Sequence, residues 1–167
     1  MAIIKLNATR GLEGALPAVS GANLTNIDGG KIAQVIQTTS STNSSTNSSS
    51  YGTWLSVNIT PSATSSKVLI FASSGRNDSG TSANVIQFTL FRDSTDLGNT
   101  DGGADGFFTH RNESANAQGH FTINFLDSPN TTSQVTYTIQ YKQNGGTGTV
   151  YANNSGKGSI QVLEVLA

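Results

Sequence analysis

From Lys31 to the end, apolar and polar residues alternate in short blocks, and each block closes on a cluster of turn-forming residues. A period of two puts every second side chain on the same face of an extended chain, so the pattern restricts this region to half-buried β-strands. TWLSVNIT is one such block, with Leu55, Val57 and Ile59 on one face and Trp54, Ser56 and Asn58 on the other. In HFTINFL, Phe121, Ile123 and Phe125 alternate with polar residues, and in SQVTYTIQYK so do Val135, Tyr137, Ile139 and Tyr141. KIAQVIQTT, KVLIFASS, NVIQFTLFRD, GFFTHRN, TVYAN and SIQVLEVL complete about nine candidate strands. Gly, Asn, Asp and Ser gather between them, as in DSTDLGNTDGGADG, DSPNTTS, KQNGGTGT and ANNSGKG. No ten-residue segment combines helical periodicity with caps, so little helix is expected. Short strands at this spacing predict an all-β domain over residues 31–167, a jelly-roll β-sandwich of about eight or nine antiparallel strands.

Composition decides how such a domain is held together. The 167 residues include no Cys, so neither disulfides nor thiolate metal sites contribute, and stability falls to core packing and subunit association. Charged residues are only 11% of the chain, while 22 Ser, 21 Thr, 16 Asn and 18 Gly dominate its polar surface. A net charge of -1 supplies no electrostatic footprint for nucleic acid or for an anionic membrane. No run approaches the roughly 20 apolar residues of a membrane-spanning helix. The start, MAIIKLNATRG, lacks a signal-peptide core, so the several Asn-X-Ser/Thr triplets, among them those at Asn7, Asn58 and Asn130, read as chance in so Asn- and Ser-rich a chain.

Two segments depart from plain alternation. In residues 1–30, Leu12, Leu16, Val19, Leu24 and Ile27 are separated by Gly and Pro and fit neither helix nor strand. A solvated linker needs no such residues, so this extended segment is expected to order against other subunits or a docking partner. The final strand, SIQVLEVLA, carries Ile160, Val162, Glu164 and Leu166 on one face and Leu163 and Val165 on the other. Apolar residues on both faces mark either a central strand or one buried against another subunit. The run Thr38 to Thr53, rich in Ser, Thr and Asn, reads as a polar surface loop between strands.

Tests for chemistry find little. Only His110 and His120 are available as a general base, and neither stands near a nucleophile motif. Across a hairpin the two imidazoles could meet to share a metal, but no carboxylate cluster at diagnostic spacing joins them. Asp93, Asp96, Asp101 and Asp105 offer hard oxygen ligands for calcium without EF-hand order, and Asp-Gly turns account for them more simply. No spacing identifies a glycosidase carboxylate pair, and a glycan hydrolase is held only as a minor alternative. The expectation is a non-enzymatic protein without cofactor or metal. If it binds a surface glycan or protein, the candidate loops are Arg76 to Asn84 and Asn99 to Gly106, led by Arg76, Asn77, Asp78, Asn99, Asp101 and Asp105. Tyr51, Trp54 and Phe107 are candidate aromatic platforms for a sugar, with core or interface packing as the competing reading.

The leader KLNATRGLEGALPAVSGANLTNID resembles the amino-terminal segments of tailed-phage virion proteins, especially from marine phages, in which Gly-Leu-X-Gly-X-Leu-Pro-Ala-X-Ser-Gly-Ala-Asn-Leu units recur. ITPSATSSKVLI, FRDST, FLDSPNTTSQVTYTIQYK and SIQVLEV are similar to the domain that follows in those proteins. The arrangement also resembles trimeric jelly rolls of the tumour-necrosis-factor and complement type, an analogy of fold alone. The resemblance implies a homotrimeric virion structural protein on the exterior of the particle. Gly11 to Ile27 would attach it to other virion proteins, and Phe125 to Lys142 with Ser159 to Val165 would belong to the projecting head. With one leader unit and no long shaft, two locations stay open: a tail fibre or spike contributing to host attachment, or a capsid decoration or head-fibre protein.

Overall fold

A computed structural model describes residues 31–78, 80, 83–98, 106–111 and 118–167. Among them are thirteen strands and no helix. In chain order these are β1 (Ile32–Ser40), β2 (Ser44–Thr46), β3 (Gly52–Ile59), β4 (Lys67–Ser73), β5 (Arg76–Asp78), β6 (Val85–Arg92), β7 (Thr95–Asp96), β8 (Phe108–Arg111), β9 (Gln118–Gly119), β10 (Thr122–Asp127), β11 (Val135–Gly145), β12 (Val150–Ser155) and β13 (Gly158–Val165). Each of the nine segments expected from alternation carries one of the longer strands. The short strands β2, β5, β7 and β9 are additions. β2 lies inside the Ser/Thr run expected to be a loop, where its backbone pairs with β12. Residues 1–30 lie outside the described part.

All pairings are antiparallel. The first sheet runs β1-β13-β4-β10. The second runs β3-β11-β6, with β7 and β8 both paired to β6. A smaller sheet, β2-β12-β5-β9, extends the domain. The first two sheets form a β-sandwich, because their alternating apolar residues face one another in a single core. Val68, Ile70, Ala72, Ile123, Ile160 and Val162 come from the first sheet, and Leu55, Val57, Ile59, Ile86, Phe88, Leu90, Val135, Tyr137 and Ile139 from the second. Side chains of this kind contribute roughly 1.5–3 kcal/mol each when fully buried. Aromatic rings knit the layers: Phe88 of β6 lies 4.5 Å from Phe121, at the entry to β10, and 5.8 Å from Tyr141 of β11.

One residue breaks the expected alternation. Between β3 and β11 the register runs Leu55↔Ile139 and then Thr53↔Gln140, so Trp54 is an extra residue on β3. This bulge turns the indole to the same side as Leu55. There it packs edge-on against Phe88 and Phe121, at 6.5 and 6.0 Å.

Two polar devices clamp the layers. At one end, Asp127 of β10 accepts Arg92 Nη1 at 2.8 Å and the Tyr137 hydroxyl at 2.6 Å, tying the first sheet to β6 and β11 of the second. Burial, and then the hydrogen bond to Asp127, raise the Tyr137 phenol well above its ordinary value, so it remains a donor. On β13, the covered Glu164 carboxylate accepts the Ser62 N–H and Ser62 hydroxyl, both at 2.6 Å, and Gln34 Nε2 at 2.7 Å. Burial alone would raise its pKa. Hydrogen bonds from Ser62 and Gln34 outweigh that and hold it at about 2. The Ser66 hydroxyl adds to the same field from outside good hydrogen-bond geometry.

Candidate functional site

Among the described residues there is no cavity, and no group of three or more His, Asp and Glu side chains stands close enough to hold a metal. The features that remain are the outer faces of the sheets and the residues singled out from the sequence.

Arg76, Asn77 and Asp78 are not in a receptor-facing loop. They form β5, and Asn77 is completely buried while Asp78 is 6% exposed. Asn77 Nδ2 donates to Ser74 Oγ at 2.8 Å, and its Oδ1 accepts the Asn153 N–H at 3.1 Å. Asn153, held at a left-handed φ of 55°, accepts the Gly75 N–H and turns its own Nδ2 toward the carbonyls of Ser40, Thr42 and Gly156. Ser74 Oγ also accepts the Phe121 N–H. Four separate stretches of chain are pinned by this Ser74–Asn77–Asn153 network, which explains why such polar residues are inside. Asp78 is likewise engaged, accepting the Gly80 N–H at 2.7 Å. Asn99, Asp101 and Asp105 lie outside the described residues, as do Leu12, Leu16, Val19, Leu24 and Ile27.

The remaining candidates are placed as follows. Asp93 accepts the Thr136 N–H, and Asp96 accepts Thr89 Oγ1 and the Gly98 N–H, so both carboxylates close turns. His110 lies on β8, which joins the second sheet, and stacks on Phe108 at 6.5 Å. His120 follows β9, which joins β5 in the smaller sheet, so β8 and β9 do not pair as a hairpin. The three aromatic candidates pack within the domain. Trp54 is in the core; Tyr51 meets Phe91 edge-on at 5.8 Å and carries Lys142 Nζ 4.4 Å above its ring; Phe107 meets Phe125 at 5.3 Å.

The feature left over is the outer face of the first sheet. Its register aligns Val35, Leu163, Leu69 and Leu126 in one row across all four strands. The row on one side holds Ile32, Val165 and Lys67, and the row on the other holds Gln37, Gln161, Phe71 and Asn124. Beyond it lie Thr39, Ser159, Ser73 and Thr122. Ile32, Val35, Phe71 and Leu126, the exposed large hydrophobic residues among those described, all belong to this face. The double-sided character of SIQVLEVLA is thereby resolved. β13 is a central strand, with Ile160 and Val162 in the core, and its Leu163 and Val165 still reach outward. The outer face of the second sheet differs: its Thr53–Gln140–Thr89 row is polar, its Ser56–Thr138–Phe91 row mixes hydroxyls with one aromatic ring, Thr89 and Thr138 are buried, and Ser56 and Thr138 stand 3.2 Å apart.

No family model matches this chain, and no curated protein matches it.

Proposed function

We propose that this chain is a non-enzymatic structural protein of a bacteriophage virion that acts by binding, as a homotrimer projecting from the particle in the manner of a tail fibre or spike. The observation that carries the reading is the order of its strands. Taking the eight longer strands that build the two facing sheets, the chain visits them as β1, β3, β4, β6, β8, β10, β11 and β13, giving β1-β13-β4-β10 opposite β3-β11-β6-β8. Strands distant in sequence are neighbours, and the first and last pair with each other. That connectivity supports reading the β-sandwich as a jelly roll, a form recurrent in capsid and lectin domains. It agrees with the virion resemblance in the sequence, and the scarcity of charge suits a neutral surface that binds through hydrogen bonds.

Three copies acting together gain avidity from individually weak contacts, which is what an attachment protein requires. The test is to label the protein on intact particles of the phage that encodes it. Signal at the tail supports the attachment reading, signal over the head supports the decoration reading, and particles that carry none of it overturn both.

A further inference from the structure

We infer that the outer face of the four-stranded sheet, centred on Val35, Leu163, Leu69 and Leu126, is the surface through which copies of this chain associate. The inference rests on the homo-oligomeric part of the reading above and names the contact that part leaves open. The exposed large hydrophobics of the described residues fall on this one face, although they come from three separate strands, β1, β4 and β10. A row of four apolar side chains crossing every strand of a sheet is the arrangement that exposes most apolar area per residue, and a monomer gains nothing by it.

Size and chemistry select the occupant. Four strands at about 4.8 Å and three two-residue steps of about 6.7 Å give a footprint of roughly 400 Å². That is about half of the roughly 800 Å² that each partner contributes to a standard interface, so the face supplies the centre of such a contact and its surroundings the rest. The only charged side chain in its four rows is Lys67, at one edge. Lipid headgroups or an acidic partner would call for a cluster of cations. Copies of one chain, by contrast, must meet without like-charge repulsion, and this face allows it. Its polar members, Gln37, Gln161, Asn124, Thr39, Ser159, Ser73 and Thr122, are amides and hydroxyls that both donate and accept, so each can pair with whichever polar group a neighbouring copy presents. The partner that fits is therefore further copies of this chain, with the apolar row at the centre of the contact and the amide and hydroxyl rows beside it.

The test uses the full chain. Native mass spectrometry of the wild type is compared with a Val35→Lys/Leu126→Lys double variant, both positions being exposed in the isolated domain, and with Asn58→Lys on the outer face of the other sheet as the control. The expected result is a multiple of the chain mass for wild type and control, and at least a tenfold rise in the dissociation constant for the double variant, with unchanged circular dichroism. Because the chain has no Cys, Leu126→Cys and Asn58→Cys each carry a single thiol. A short bismaleimide should link the first between copies and leave the second unlinked. A double variant that keeps the wild-type mass, together with no linkage through Leu126→Cys, overturns this face while leaving the homo-oligomer standing. A wild type that is monomeric at every concentration overturns the homo-oligomer and the face together.

Discussion

Replacing Glu164 with Gln removes one charge and almost no volume, so it isolates what the buried carboxylate does. Its two oxygens receive only donors: the Ser62 N–H and hydroxyl on one, Gln34 Nε2 on the other. A glutamine keeps one acceptor and sets its own NH2 against the Gln34 amide. Gln34 cannot flip to relieve this without losing its bond to the Thr60 carbonyl at 2.8 Å. The carboxylate is held at about 2, down from 4.5, which corresponds to about 3 kcal/mol favouring the charged form in the folded chain. The folded value is depressed, so this contribution is fully present above pH 4.5 and disappears as pH falls toward 2. Urea denaturation at pH 7 should therefore find Glu164→Gln less stable by about 2–4 kcal/mol. The gap should narrow steadily as pH falls from 4.5 toward 2, as the wild-type carboxylate takes up its proton. A variant within about 0.5 kcal/mol of wild type at pH 7, the scatter of ordinary surface changes, would refute the reasoning. So would a gap of constant size down to pH 2.

Three other perturbations probe separate parts of the fold. Tyr137→Phe removes the 2.6 Å bond to Asp127 and should cost about 1–3 kcal/mol by denaturation at pH 7. Because the folded phenol titrates above its ordinary value near 10, stability present below pH 10 is lost as pH rises past it, and the variant should lack that alkaline loss. At Gly158 an added Cβ would fall on the Cη2 edge of Trp54, so Gly158→Ala should destabilise by about 1–3 kcal/mol. It should also shift the emission of Trp54, the chain's single tryptophan, and an unchanged spectrum would contradict the packing. Asn153→Ala loses the side-chain bonds to Gly75 and to three carbonyls while keeping a left-handed backbone, whereas Asn153→Gly loses only those bonds; both keep the backbone N–H that Asn77 accepts. Alanine should be the worse by about 1 kcal/mol in thermal or urea unfolding, and equal stability would argue against the strained φ.

The strands were legible because alternation reports which face of a segment is wet, and nine segments wrote that plainly. What alternation cannot register is an inserted residue. Trp54 was placed with Ser56 and Asn58 on the polar face, and the bulge at Leu55/Thr53 moves it into the core, a change visible only once β11 is laid alongside. Nor does composition distinguish a polar loop from a polar residue that is buried and satisfied. Arg76 to Asn84 reads as a polar loop, yet the partner that makes Asn77 a core residue is Asn153, 76 positions away. The apolar outer face was half visible, in Leu163 and Val165. Its remaining members, Val35, Leu69, Phe71 and Leu126, become one surface only through register across four strands.

The two outer faces of this sandwich solve the same problem in opposite ways. On the second sheet, polar groups are spent on one another: Ser56 meets Thr138 and Thr89 meets Asp96, so that face is closed by its own hydrogen bonds. On the first sheet the corresponding positions carry aliphatic side chains that no described residue covers, and burial against another surface would relieve them. β1, the strand that follows residues 1–30, lies at an edge of that same sheet, and its Ile32 and Val35 begin the apolar rows. A leader bearing its own apolar residues is thus covalently joined to the face that most needs covering. On the proposed reading, association through this face leaves the outer face of the second sheet directed away from the contact between copies.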